Sequence, residues 1–477
     1  MIRGAISGVA VALLGMTALF AINFVVMQIS PEHYRRVLAE AVDSGTLATV
    51  MHLPLAPGKD IYPFGGNDCV IVGALAMPRS SRIETAISPP MPTWGDAAGI
   101  TSPAGYPPAG HCLVLAATMS AVARSPAPDQ IPEQAYIHRY LHGDVTIAAL
   151  LLAFMSLGTA SAVMLVSRYG ILAVIALLAL LRLRAGSPIE RGRAAAFLII
   201  AATLACLYAL PFFGRSFSFA PSDFVIFAFI LYGMLQPLGQ ISRHRFMLAT
   251  AAFGTLTAIF EFLTGGIPMG LATLIALIAL GGAPDQRTMV DRMIIGTTTF
   301  AAAIVACFAY KLLAVAAIFG TNELAEFARL LTHRVTGSVQ SLLSDNAKEA
   351  LKAYHSDPLW IDENIFTRVL FAGVMLTYSS FYLGWGSHLL GAAIVLLPTP
   401  LLVAMGVYSF RQRNLSEVAR ERVGLAAAGM VPVLWYIVFA NHTITHSSYM
   451  VRRLALNVAL CIICIVSALP RRHSSAH

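Results

Sequence analysis

Charge is the scarcest thing in this chain. Only 12% of its 477 residues are Asp, Glu, Lys or Arg, whereas about a quarter of a soluble globular domain is charged. So few charges cannot keep a chain of this length in water, which excludes a soluble enzyme or binding module. Phosphate-binding glycine loops are missing as well: no Walker or Rossmann pattern occurs, and Gly65–Gly66 before Asn67–Asp68 reads as a turn. His442 and His446 stand four apart without the glutamate of an HExxH zinc site. Cysteine is sparse, six in all, and Cys206, Cys307, Cys461 and Cys464 lie inside apolar runs where they read as small core residues.

What the chain has instead is apolar length. Hydrophobic residues make up 57% and the mean hydropathy is +0.72. These values describe a polytopic, all-α integral membrane protein. The formal charge of +8 sits in short basic clusters between apolar runs, where it orients spans, and it implies no nucleic-acid partner. The first run, "MIRGAISGVAVALLGMTALFAINFVVMQ", is too long for a signal-peptide core and ends in no small-residue cleavage site, so it reads as a retained first span over 1–27.

A polar stretch follows over 28–143 and holds more than half of the chain's 25 prolines. It opens with "SPEHYRRVLAEAVDSG", in which Ser30 is a helix cap and Pro31 suits the first turn, predicting a short amphipathic helix near the membrane surface. Cys69 and Cys112 lie in this stretch. If it faces an oxidising compartment they are the natural disulfide pair, closing a loop of about 44 residues worth on the order of 3–4 kcal/mol in the chain-entropy model.

The bundle over 144–318 begins ambiguously. Two spans broken near Ser167–Gly170 would put Arg182, Arg184, Arg191 and Arg193 on the side of the long loop, against the positive-inside rule. A re-entrant or interfacial helix over 144–156 followed by one span over 159–181 obeys the rule but buries Arg168; this parse is preferred, because an intramembrane arginine marks function. Further spans fall near 194–213, 221–239, 246–263, 267–281 and 292–318. A second outer segment, 319–364, is helical in pattern. Within 365–477, residues 365–409 read as two spans, one of them open to being a half-helix. Two whole spans would leave "FRQRNLSEVARER" on the outer face against the rule. The last spans are 424–440 and 450–468, giving ten to twelve in total, and no internal repeat is visible.

The outer face then gathers the polar groups. Asp68 stands in the long loop; His138, Arg139, Tyr140 and His142 precede the membrane re-entry; Arg168, Glu261 and Lys311 lie toward the outer ends of apolar runs; and "FANHTITHSSYMVRRL" carries His442, His446, Arg452 and Arg453. Charge at membrane depth must face protein or water, so one shared cavity is expected. The two histidines are read as phosphate or substrate ligands, a metal pair or polar packing. The two arginines are read as interface anchors or as ligands of a specific anion. Basic donors at the boundary suit the phosphate of a lipid head group, with a loop carboxylate as general base.

A long extracytoplasmic loop between spans one and two that carries an acidic residue resembles the layout of GT-C-type glycosyltransferases. The strings "YIHRYLHG" and "LWYIVFANHTITHSSYMVRR" also resemble segments of bacterial polytopic proteins of presumed surface-polysaccharide function. Those read Tyr-x-Arg-Tyr-Trp-His-Gly and Asn-His-x-x-x-His, and Leu141 stands here where the tryptophan would be. The resemblance implies a periplasmic active face on a bacterial inner membrane and a polyprenyl-phosphate-linked sugar as donor. It implies a glycan or lipid-linked acceptor and Asp68 as catalytic base, with Asp43 and Asp60 as fallbacks. The basic groups would bind substrate. No cofactor is expected, and a divalent ion is not favoured. The alternative is a transporter or flippase for a lipid-linked or anionic substrate.

Overall fold

The computed structural model describes residues 1–44, 53–56, 59–61, 66–79, 81–92, 134–136, 138, 140–261, 265–336, 365–380, 388–412, 416–445 and 447–467. In chain order the elements are α1 (Ile2–Val26), α2 (Pro31–Asp43), β1 (Leu53–Ala56), β2 (Lys59–Ile61), α3 (Gly66–Ala76), α4 (Arg82–Ile87), β3 (Pro90–Pro92), β4 (Gln134–Tyr136), α5 (Gly143–Leu152), α6 (Leu157–Ala185) and α7 (Pro188–Leu207). They continue with α8 (Leu210–Phe213), α9 (Ala220–Leu235), α10 (Arg243–Ile259), α11 (Gly266–Leu280), α12 (Gln286–Phe319), α13 (Asn322–Thr336), α14 (Ile365–Ser379), α15 (His388–Leu396), α16 (Pro398–Phe410) and α17 (Glu417–Val438). The chain ends in two short helices, α18 (Ala440–Thr445) and α19 (Ser447–Met450), a 3₁₀ turn (Val451–Leu454) and α20 (Ala455–Val466). The strands form two antiparallel ribbons, β1–β2 and β3–β4.

Five helical stretches are long and apolar enough to cross a bilayer: Ile2–Val26, Leu157–Ala185, Gln286–Phe319, Leu389–Phe410 and Glu417–Val438. The protein is a helical membrane protein. Its helices run between two ends, and side chains mark one of them. Arg182 donates to Met234 O (2.5 Å), Arg292 to Ile241 O (2.7 Å), Arg420 to Pro284 O (3.5 Å) and Arg422 to Ser467 Oγ (3.2 Å). This is the basic end. Between it and the opposite end the main core cluster packs Ile175, Phe197, Ile200, Phe227, Ile230, Phe246, Leu274 and Ile278.

Two topological expectations are resolved. Arg168 lies within the single continuous α6, and α5 is a separate ten-residue helix before it, as the preferred parse requires. Downstream, the fifteen-residue α14 packs its Phe371 and Ala372 on Ala440 and Ile444, and its Leu376 on Tyr436, Met450 and Val451. Leu389–Phe410 is the stretch of this region long and apolar enough to cross. The segment around "SEVARER", expected on the outer face if 365–409 crossed twice, is at the basic end, with Glu417 3.9 Å from Arg193.

The helices α2, α3 and α4 of the polar stretch after α1 pack at the other end. Ser30 precedes α2 in extended conformation and Pro31 opens the helix, as read from sequence, although the Ser30 side chain makes no cap bond. One face of α2 is buried through Tyr34, Leu38 and Ala41, with Tyr34 OH donating to Ala149 O (3.2 Å) on α5. Arg35 caps the end of α3 through Ala76 O (2.8 Å). Asn23, buried in α1, donates to Ala86 O (3.0 Å) and accepts from the Thr146 hydroxyl.

α1 packs closely along α12. Gly4, Gly8 and Ala12 form a small-residue stripe at four-residue spacing, which lets two backbones approach closely in lipid, where packing rather than burial drives association. A Cβ on Gly8 would fall 2.5 Å from Thr299 O and 3.1 Å from Ala303 N, whereas one on Gly170 meets nothing within 4 Å. Gly8→Val is therefore expected to lower the thermal midpoint of the detergent-solubilised protein, at an overpacking cost of about 1–3 kcal/mol. Gly170→Val should leave it nearly unchanged; equal midpoints for the two variants would refute the close-packed stripe.

Candidate functional site

Asp68 stands in the first turn of α3, where the helix N-terminus favours a carboxylate. It is fully buried. Its Oδ1 accepts from the Ser216 hydroxyl (2.8 Å) and from the Ser218 N–H (2.8 Å), and the two serine hydroxyls lie 2.8 Å apart. Its Oδ2 has no hydrogen-bond partner among the described residues. Burial pushes the carboxyl up to about 6, against the opposing pull of the Ser216 and Ser218 bonds. A second buried carboxylate, Asp144 in the first turn of α5, feels the charge of Asp68, and its Oδ2 is also without a partner among the described residues. Tyr449 lies within the same electrostatic reach.

The loop that holds Asp68 is itself held by Arg168. This side chain is fully buried in α6, donates through Nε to Ala220 O (2.9 Å) and through Nη1 to Gly214 O, and so braces both sides of residues 216–218. Ser161 Oγ adds a bond to Arg215 O (3.3 Å). Arg168 thus acts on Asp68 through the backbone.

Beyond that loop, Asp223 at the start of α9 collects the arginine pair. Its Oδ2 accepts from Arg452 Nη1 (2.6 Å) and its Oδ1 from Arg453 Nη1 (2.7 Å) and Tyr208 OH (2.9 Å), all without solvent exposure. Arg453 also donates to Tyr208 OH. The Arg452 guanidinium lies over the rings of Tyr208 (4.8 Å), Phe219 (5.1 Å) and Phe213 (5.2 Å). Its Nε and Nη2 have no hydrogen-bond partner among the described residues. Glu261 completes the cluster. Its Oε1 accepts from Gly265 N–H (3.0 Å), and Gly265 takes a left-handed φ of 88°. A Cβ on Gly266 would collide with Glu261 Oε2 and Ser222 Oγ, so the close approach depends on glycine there. Arg452 and Arg453 thus share Asp223, and Glu261 adds a second negative charge within reach of Arg453.

Lys311 belongs elsewhere. Its Nζ donates to Ile87 O and lies 3.4 Å from Ser88 Oγ. Ser88 Oγ is also 2.9 Å from His138 Nδ1 and 3.5 Å from His142 Nε2. Burial, then the Lys311 charge, pushes His138 down to about 4, so at neutral pH its 3.6 Å approach to Glu323 Oε2 is a contact with a neutral ring and not an ion pair. His138 also packs on Phe319 and Tyr136. His142 adopts φ 62° immediately before α5, and Tyr140 is buried beside it.

The described hydrogen bonds of the expected groups fall into two sets, one around Asp223 and one around Ser88. Lys311 is on α12, which packs against α1 and α10, and the arginine pair is carried by the turn before α20. The 442/446 spacing involves His446, which lies outside the described residues. His442 is buried in α18; Arg139, His446, Cys112 and the Cys69 side chain lie outside the described residues. Asp144, Asp223, Ser216 and Ser218 were not singled out from sequence. Asp223 carried a usable signal, a lone carboxylate opening an apolar run. Asp144 follows directly on the "YLHG" string. Among the described residues no group of three His, Cys, Asp or Glu side chains assembles. The chain matches no protein-family model, no curated protein and no solved structure.

Two outcomes are expected. Asp223→Ala leaves two buried guanidiniums without their carboxylate and should cost about 3–5 kcal/mol, read as a lower melting midpoint; Arg453→Met in the same chain should recover part of the loss. A melting midpoint unchanged by Asp223→Ala would refute the ion cluster. Because His138 titrates lower in the fold than in the unfolded chain, stability it contributes at neutral pH is lost as pH falls from about 6.5 toward about 4. His138→Gln should flatten that part of the pH–melting curve.

Proposed function

We propose that this protein is a GT-C-type glycosyltransferase, which moves a sugar from a polyprenyl-phosphate donor to a glycan or lipid-linked acceptor on the periplasmic face of a bacterial inner membrane. The observation that carries the reading is Asp68: a buried carboxylate with one oxygen fixed by two donors and the other free to take a proton. In this reading the acceptor hydroxyl gives its proton to Asp68 Oδ2 as its oxygen attacks the anomeric carbon. The bond from that carbon to the phosphate oxygen breaks, the polyprenyl phosphate leaves, and the anomeric configuration inverts. A carboxyl raised to about 6 is ionised at neutral pH yet basic enough to accept a proton.

The departing phosphate needs a cation. Arg452 supports this role, since Asp223 engages only its Nη1 and the Nε–Nη2 edge remains for a bidentate bond to phosphate oxygens. Arg453 and Arg168 are positioning residues, one sharing Asp223 and the other bracing the Ser216–Ser218 loop. The basic end is cytoplasmic by the positive-inside rule. On this reading ten passes connect the two sides, five made by the stretches long and apolar enough to cross and the others by α7, α9, α10, α11 and α20. A transporter would need a path between the ends, and the apolar cluster filling the bundle favours a one-sided site.

The test is transfer by the reconstituted protein from membrane-extracted lipid-linked sugars. Asp68→Asn should lower turnover about 100-fold or more while leaving the melting midpoint within a few degrees. Wild-type turnover should rise with pH through about 6 as Asp68 deprotonates. Retained turnover in Asp68→Asn would remove Asp68 as the base.

A further inference from the structure

A cavity of about 280 Å³ lies at the basic end, between the end of α6, the start of α7 and the ends of α9 and α11. Arg182 and Arg168 are fourteen residues apart on α6, so the cavity stands about 21 Å along the helix from the Asp68 loop. Arg182, Arg193, Glu190 and Gln240 supply its polar wall, and Phe197 and Leu280 part of its apolar wall.

The polar groups are unequally committed. Arg182 is held in place by Met234 O through one Nη. Glu190 lines the cavity, but its Oε2 already accepts from the Ser187 N–H (2.8 Å) in the capping box that starts α7. Arg193 reaches Glu417 only at 3.9 Å, and its buried Nε has no hydrogen-bond partner among the described residues. Gly282, at φ 67°, leaves room for this guanidinium; a Cβ there would overlap it. Two arginines therefore line the cavity beside one carboxylate, Glu190, that is already hydrogen-bonded; Glu417 stands outside the lining at 3.9 Å from Arg193, whose Nε donor is unused among the described residues.

We infer that this cavity binds the phosphate of an anionic phospholipid. Guanidinium groups match phosphate oxygens in charge and in fork geometry, and basic pockets between membrane helices on the cytoplasmic side suit anionic head groups. The phosphate could equally come from a free anion, but the apolar wall and the lipid-facing side chains beside it, Leu180, Leu181 and Leu235, each about half exposed, match a ligand with acyl chains. The site is separate from the proposed transferase centre, and neither depends on the other.

The test is native mass spectrometry and thermal shift of the full-length, delipidated protein in detergent. It is titrated with phosphatidylglycerol, with phosphatidylcholine or with inorganic phosphate. Phosphatidylglycerol should bind at least ten-fold more tightly than phosphatidylcholine and raise the melting midpoint, and inorganic phosphate should do neither. Arg193→Gln should weaken phosphatidylglycerol about ten-fold, Arg193→Lys should recover part of the loss, and Arg191→Gln, outside the cavity, should change nothing. Equal binding of the two lipids, saturation by inorganic phosphate without lipid binding, or wild-type affinity in a folded Arg193→Gln would each overturn the inference.

Discussion

The carboxylate of Asp223 is the point on which this end of the molecule turns. Two guanidiniums carried by consecutive residues of the turn before α20 meet it with no water between. Without it, two cations would be buried at a cost of several kcal/mol each. That requirement ties residues separated by about 230 positions. The two arginines stand side by side in the 3₁₀ turn Val451–Leu454, and their long side chains converge on this one acidic group.

Much of the layout was legible because single-residue costs decide it. An arginine placed inside an apolar run forces a choice between a loop and a buried partner, and Arg168 in α6 has the buried one, made of backbone carbonyls from residues 214 and 220. The positive-inside preference identifies the end that carries Arg182, Arg193 and Arg292. What stayed hidden is pairing. The arginines at 452 and 453 called for an anion, but nothing local pairs them with Asp223, whose one signal is that of a lone carboxylate opening an apolar run about 230 positions away. Asp144 was hidden in the same way, and its proximity to Asp68 exists only once α3 packs on α5. The fifteen-residue α14 could not be told from a span, since its apolar residues look the same packed on α18 and α19 as facing a bilayer.

The two ends use arginine in opposite chemical settings. At the basic end the side chains are partly exposed: Arg182 bonds the Met234 carbonyl in the last turn of α9, where the helix dipole favours a cation, while Arg292 and Arg420 reach loop carbonyls at 241 and 284 and Arg422 reaches the Ser467 hydroxyl. At the other end Arg168, Arg452 and Arg453 are fully buried, so each is fixed by specific partners, and loss of a partner is felt as an uncompensated charge. The first setting orients the protein; the second shapes a site.

That shape couples the two proposed tasks. Residues 214–223 run past both: Ser216 and Ser218 hold Asp68, Gly214 and Ala220 receive Arg168, and Asp223 receives Arg452 and Arg453. A shift of this segment toward the arginine pair would loosen the two donors on Asp68 Oδ1. With fewer bonds to the charged form, a buried carboxyl becomes more basic. On the proposed reading, the base and the phosphate site would therefore both lean on one stretch of ten residues, 214–223.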